Sequence, residues 1–196
     1  MKQKDNSFQQ TNSFAMLYGL YLGLWGLLGL TCVVQSFSHP SLSLISSPLM
    51  WSSPFLAAYL TYRFRRNVML PELGFSFGRG FLFTFFMGMY ASLWIAIGTF
   101  VYMAYFDNGA IFNAYEAMLS APEVTAELRA SGMWDMLQAQ GGINGFVDVL
   151  RGITPAAYAG SILYITLLTA PVISAIIALI FRKSGNGWIM PSSSQK

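Results

Sequence analysis

Apolar and polar positions divide the chain into four long apolar stretches: Phe14 to Ser36, Leu42 to Tyr62, Phe81 to Phe106, and Ala156 to Phe181. None of them contains Asp, Glu, Lys or Arg. A helix needs about 20 residues to cross a hydrocarbon layer roughly 30 Å thick, and each stretch meets that length. The pattern predicts an all-α integral membrane protein, a four-helix bundle in one membrane domain over 1–196. Its transmembrane helices fall at about 14–36, 42–62, 81–106 and 156–181. The second stretch differs from the others. It carries Ser43, Ser46, Ser47, Ser52 and Ser53 with Pro48 and Pro54, which fits a kinked span whose freed carbonyls are met by hydroxyls or neighbouring helices; a re-entrant segment is the alternative.

The connection 107–155 is too long for a plain turn and has its own pattern. Ile111, Phe112, Tyr115 and Met118 recur on one helical face. Ser120-Ala-Pro-Glu123 has the form of a capping box opening a second helix, followed by Val124, Leu128, Trp134 and Leu137. Gly141-Gly142 breaks the run, and Ile143, Phe146, Val147 and Leu150 predict a third short helix. Thr154-Pro155 supplies a cap and first position for the last span. These helices are expected to pack over the bundle mouth or, alternatively, to offer a docking surface with Trp134 as its anchor.

Composition sharpens this picture. Only 10% of the 196 residues are charged and 55% are hydrophobic, against about 25% charged in soluble domains. The start of the chain mimics a signal peptide, with Lys2 and Lys4 before an apolar run. That run exceeds a signal h-region and is expected to be a retained first helix. The net charge of +3 does not point to nucleic acid, because the basic residues sit beside the ends of apolar stretches. The tail before the first stretch is net +1. The connection Arg63 to Gly80 is net +3, from Arg63, Arg65, Arg66 and Arg79 against Glu72. Segment 107–155 is net −4, and the chain after Phe181 is net +3. Positive connections belong in the cytoplasm, so four crossings place both termini on the cytoplasmic side of the membrane and make 107–155 a helical extracytoplasmic excursion.

Small residues mark where helices can approach closely in lipid. Gly19 and Gly23 form a GxxxG on the first helix; Gly88, Ser92 and Ala96 are spaced by four on the third; Ala170, Ser174 and Ala178 are spaced by four on the last. These ridges suit packing within one bundle or a homodimer seam. Tyr59, Tyr62, Tyr102, Tyr105, Tyr158 and Trp188 fall at helix ends as an interfacial belt. Trp25, Trp51 and Trp94 are expected to be packing residues. Arg79 is the one charge near a span interior: it can snorkel to the interface, bind a lipid phosphate or hold Glu72.

Candidate chemistry is sparse. Metal sites need converging His, Cys or carboxylate ligands, and the chain has one His and one Cys. Cys32 fits a buried thiol, and His39 stands in a His-Pro turn beside Ser38 and Ser41. No GxSxG, P-loop or GxGxxG stands in the sequence, and no span holds the carboxylate that ion-coupled transport uses. No catalytic, cofactor-binding or metal residues are assigned, and the chain is expected not to be an enzyme.

Three places carry a family resemblance: Tyr18-Gly-Leu-Tyr-Leu-Gly23; Gly74-Phe-Ser-Phe-Gly-Arg-Gly80 leading into a helix that ends Tyr102-Met-Ala-Tyr-Phe-Asp107; and a last apolar helix ending in Arg182-Lys183. Over roughly Ser13 to Lys183 the arrangement resembles the bacterial membrane family known as domain of unknown function 4199. That resemblance implies a four-helix membrane protein with no assigned activity and supplies no catalytic residues. The expected role is a non-enzymatic accessory or assembly subunit acting by helix–helix association. Its partners would be membrane lipids and either a second copy (a homo-oligomer) or a larger membrane complex. A small-molecule or lipid transporter or channel subunit, with the aromatic-rich third helix lining a path, is the alternative. The residues expected to pack or interact are Gly19, Gly23, Gly88, Ser92, Arg79 and Trp134.

Overall fold

The computed structural model describes residues 2–37, 39–68 and 74–183, with side chains from residue 8 onward apart from that of Pro40. Among them the chain is all-α. Three helices are long and apolar enough to cross a bilayer, as in a multi-pass membrane protein: Phe8–Ser36, Phe77–Tyr105 and Pro155–Phe181. The first belongs to α1 (Lys2–Ser36). This helix begins well before Phe14 because its polar residues have partners. Gln10 and Thr11 receive hydrogen bonds from Arg79, and the Asn12 carbonyl oxygen accepts one from Tyr90.

The second stretch is not one helix. It is α2 (Ser43–Trp51) followed by α3 (Ser53–Val68), after a 3-10 turn at Pro40–Leu42. Neither piece reaches 18 residues. Pro54 has no N–H to continue the ladder, and its ring crowds the preceding turn. The break is held by side chains: Ser52 Oγ donates to Leu49 O at 2.6 Å, and Trp25 Nε1 donates to Ser52 Oγ at 3.0 Å. Trp25 is therefore a polar brace as well as a packing residue. Trp51, expected to pack, is 76% exposed, on the apolar girdle with Leu44 and Phe55. α3 runs past Tyr62 to Val68, with Arg65 and Arg66 in its last turn, where cations favour the helix dipole.

α4 (Phe77–Tyr105) starts ahead of Phe81 because Ser76 caps it, accepting from Arg79 N at 3.3 Å. The excursion contains four helices rather than three: α5 (Ala110–Leu119), α6 (Pro122–Ala130), α7 (Met133–Ala139) and α8 (Gly142–Arg151). Gly132, at φ +73°, splits the expected second helix. The expected capping box does not form. Pro122 takes the first helical position and holds Ala121 extended, so Ala121 becomes the cap and Ser120 ends α5. At the start of α5 Gly109 is the N-cap, and the Asp107 carboxylate before it accepts from Gly109 N at 3.1 Å and Ile111 N at 3.0 Å. Thr154 and Pro155 open α9 (Pro155–Phe181) as expected.

α1 and α4 lie side by side and run parallel: Gly19 meets Met87 and Tyr90, Gly23 meets Trp94, and Leu27 meets Gly98. α9 runs antiparallel to α4, with Ala178 beside Gly80 and Ala170 beside Gly88. α3 is also antiparallel to α4, since Thr61 faces Thr84 and Phe64 stacks on Phe83. Two parallel helices joined in sequence need a return path, and α2 with α3 provides it: Met50 lies at Gly29, and Phe64 at Phe14.

The core concentrates where α3 ends and α4 begins, around Ala15, Tyr18, Phe64, Phe75, Phe83 and Ile177. There Arg65 donates to Phe181 O at 3.0 Å, and Phe75 and Lys183 exchange backbone hydrogen bonds of 2.8 and 2.9 Å. This end gathers Arg63, Arg65, Arg66, Arg79, Arg182 and Lys183. The acidic α5–α8 layer joins the opposite end of α4 and α9.

Candidate functional site

Two concave regions stand out, one within the bundle and one on the α5–α8 layer. The first is a cleft of about 200 Å³ floored by α4 and walled by α1, α3 and α9. It exists because small residues line it. Gly26, Ala57, Gly88, Ala91 and Ala170 leave space where larger side chains would meet. At the basic end α3 and α9 close over it, with Tyr62 and Phe181 ring centroids 5.9 Å apart. Further along, these two helices part, and the cleft opens between Pro54 on α3 and Thr169 on α9, both exposed.

Hydroxyls supply its polarity. Thr84 Oγ1 donates to Gly80 O at 2.9 Å and lies 3.0 Å from Thr61 Oγ1. Ser92 Oγ donates to Met89 O at 2.9 Å, and Thr169 Oγ1 to Ile165 O at 2.8 Å. Ser174 differs. It lines the cleft, is 1% exposed, and its hydroxyl makes no hydrogen bond among the described residues. The cleft reaches Ser53, one member of the serine cluster, but Arg79 does not line it. The aromatic row of α4 does not line it either: Phe77, Phe81 and Phe85 stack on one another along a different face.

The second region is a groove of about 220 Å³ on the α5–α8 layer, lined by Tyr115, Leu119, Leu128, Met133, Met136 and Phe146 among others. Met133 and Met136 are strongly exposed. The layer is tied together by Arg151, which donates to Glu116 at 2.8 Å, Asp148 at 2.9 Å and Asn113 at 2.7 Å. The hydrogen bond to Asp148, with Glu116 adding, pushes the Arg151 guanidinium above its ordinary range. α5 packs on α8, α6 on α7, and α7 on α8. The layer reaches the bundle through Tyr158, whose hydroxyl donates to Leu150 O at 2.9 Å and whose ring meets Phe112. We expect Arg151→Ala to loosen α5 from α8, raising amide hydrogen exchange there and leaving α1, α4 and α9 protected. Unchanged exchange in α5 would show that Leu119 and Val147, both buried, hold the layer alone.

Of the residues singled out from sequence, Gly19 and Gly23 face α4 of the same chain, while Gly88 and Ser92 line the cleft. Arg79 donates to Thr11 and Gln10 on α1, and its candidate partner Glu72 lies outside the described residues. Trp134 is half-buried under the Arg129 guanidinium, 4.8 Å from its ring centroid. The groove's exposed apolar residues are methionines, which aromatic-anchor reasoning passed over. His39 is exposed, and Ser38 beside it lies outside the described residues. No group of three or more metal-ligating side chains occurs among the described residues.

The sequence matches the family described as Protein of unknown function (DUF4199) over residues 13–183. The chain belongs to that family. The matched span takes in the cleft, the groove and the basic end of this DUF4199 protein. No curated protein and no solved structure matches the chain.

Proposed function

We propose that this DUF4199 protein is a non-enzymatic accessory or assembly subunit of the bacterial inner membrane. In this reading it crosses the bilayer four times, has both termini in the cytoplasm, and presents α5–α8 to a partner outside. The fourth crossing is α2 with α3, and its support is the parallel course of α1 and α4. Charge supports the orientation, since the arginine-rich end would be cytoplasmic and the acidic layer external. The non-enzymatic reading rests on the residue inventory, with one His, one Cys and none of the nucleotide-binding or hydrolase motifs.

Cysteine accessibility tests the topology. In a Cys32→Ala background, single cysteines at His39 and Ser131 are expected to react with an impermeant maleimide from outside the inner membrane. One at Asn67 should react only from the cytoplasmic side. Labelling of positions 39 and 67 from the same side would refute the fourth crossing.

The observation that carries the docking role is the groove with its exposed Met133 and Met136. Flexible thioethers suit adaptable contacts, and a groove on a layer attached through Tyr158 leaves its far face open. Isolation of the tagged protein in mild detergent is expected to recover a stoichiometric larger partner. Met136→Glu should cost about 2 kcal/mol of binding if it is a hot spot, roughly a thirtyfold loss. Recovery of this chain alone, from wild type and variant alike, would overturn the docking role.

A transporter or channel subunit is the second reading, favoured by the bundle cleft with its hydroxyl lining.

A further inference from the structure

We propose that the bundle cleft is a binding site for a neutral, long-chain membrane amphiphile, held with its oxygen-bearing end against Ser174. The inference presupposes neither transport nor a partner for α5–α8.

Three features carry it. The first is the shape of the cleft. An apolar cavity of about 150 Å³ is enough to hold benzene. This one, at about 200 Å³, encloses the end of a chain or a single ring and leaves the remainder outside. The remainder would lie in the lipid beyond the opening, where Pro54 and Thr169 are exposed.

The second feature is polarity. The residues that line the cleft are uncharged, so an ionised headgroup would be buried without a counterion, at high cost. A neutral oxygen meets no such penalty.

The third is Ser174. A serine in a helix ordinarily satisfies its hydroxyl on the preceding turn, as Ser92 does. Ser174 does not, although it is 1% exposed and lines the cleft. No fully buried side-chain oxygen lacks a hydrogen bond among the described residues; the Ser174 hydroxyl meets the cleft, where a ligand oxygen would bond it. Ser174 lies at the level of Thr84, near the closed end, about 10 Å along α9 from Phe181 at 1.5 Å per residue. A chain entering sideways between α3 and α9 would therefore bring its oxygen there and leave its tail in the lipid.

The test uses the full chain in vesicles of phosphatidylethanolamine and phosphatidylglycerol, with two photoreactive probes: a diazirine-bearing hexadecanol and the matching hexadecane. The alcohol is expected to label peptides containing Ala57, Gly88 and Thr169 several-fold above the hydrocarbon, while both label the outward residues Ile176 and Leu179 equally. Ser174→Ala should lower alcohol labelling of the cleft about threefold to tenfold, the value of one hydrogen bond. Gly88→Leu should abolish it by filling the cleft, since a Cβ at Gly88 would meet only Ala170, at an ordinary 3.7 Å. Equal cleft labelling by both probes would overturn the proposal, leaving a crevice that any lipid chain fills. Alcohol labelling unaffected by both variants would overturn it too, as would cleft labelling no stronger than that of the outward face. Labelling at Ile176 and Leu179 reports whether each variant has folded and inserted, and Ser174→Ala adds no bulk.

Discussion

Gly19→Leu is expected to disrupt the bundle, lowering stability by about 3 kcal/mol or more. The first atom of any side chain at this position would stand 2.6 Å from Tyr90 Cβ and 2.9 Å from the Met87 carbonyl oxygen. A flexible side-chain end can swing away. A backbone carbonyl in the middle of α4 cannot, because it belongs to the helix ladder. α1 must then move away from α4, and Gly23, which faces Trp94 Cβ at 2.9 Å and Ala91 O at 3.1 Å, loses its contact as well. Overpacking ordinarily costs about 1–3 kcal/mol, and a clash with backbone belongs at or beyond the upper end. In lipid no water is released when helices meet, so close backbone approach carries much of the association. The readout is thermal unfolding in detergent. For a chain of this size a loss of about 3 kcal/mol moves the midpoint by roughly 6–12 °C. Gly88→Ala is the control, with an expected shift within about 0.5 kcal/mol, as for a substitution that meets no special feature. If Gly19→Leu left the midpoint unchanged and altered only oligomeric state, the glycine pair would be a seam between copies rather than within one chain.

What could be read from sequence follows physical lines. Absence of charge and length in residues located α1, α4 and α9, since both bear directly on transfer into lipid. Their boundaries were less legible. Charge marked where burial in lipid stops, but helices continue past that point wherever polar groups find partners. Thr11 with Arg79 extends α1, and Ser76 extends α4. The second stretch was recognisable as irregular from Ser52 and Pro54. That it divides into two helices depends on Trp25 reaching across from α1, a contact between positions far apart in sequence. The α5–α8 layer was legible at Gly141-Gly142 but not at Gly132, which divides the second helix, nor in its caps, because Pro122 and Ser120 made competing claims on one helix start. Gly19 and Gly23 could be recognised as packing positions, though not which helix they meet. Ser174 was visible only as one of three small residues spaced by four. Nothing in a one-dimensional pattern distinguishes a serine bonded to its own helix from one that faces a cleft. The methionines of the groove carried no positional signal, since methionine fills cores and surfaces alike.

Phe64→Ala is expected to release α3 from the bundle, at a cost of about 2–3 kcal/mol. Phe64 is fully buried, and its ring stacks on Phe83 with centroids 4.0 Å apart and planes 3° apart. It also meets Phe14 of α1 at 5.7 Å and Phe75 at 6.2 Å, so one side chain joins α3 to α1, to α4 and to the segment before α4. Truncating a buried Phe costs about 3–5 kcal/mol in water-soluble cores. Part of that is transfer from water, which largely falls away in lipid, and the remainder is lost dispersion contact and cavity. Beside the buried Ala57 and Leu60, the polar and ring ties of α3 are the Thr61–Thr84 hydroxyl contact, Arg65 to Phe181 O, and the Tyr62–Phe181 ring pair. Each lies within one turn of Phe64, so loosening that point loosens them together. Hydrogen exchange is therefore expected to rise through α3 while α1 and α4, which share their own long seam, stay protected. Phe64→Leu should restore most of the protection by refilling the volume without the stacked ring. The difference between the leucine and alanine variants then separates filling from stacking, and a double cycle with Phe83→Ala is expected to show about 0.5–1.5 kcal/mol of coupling, as for aromatic pairs elsewhere. If exchange rose equally in all the long helices, α3 would be an integral member of one cooperative unit. If it rose in α3 alone, the helix that completes the return path is also the one that can open, and it forms one wall of the cleft beside Ser174.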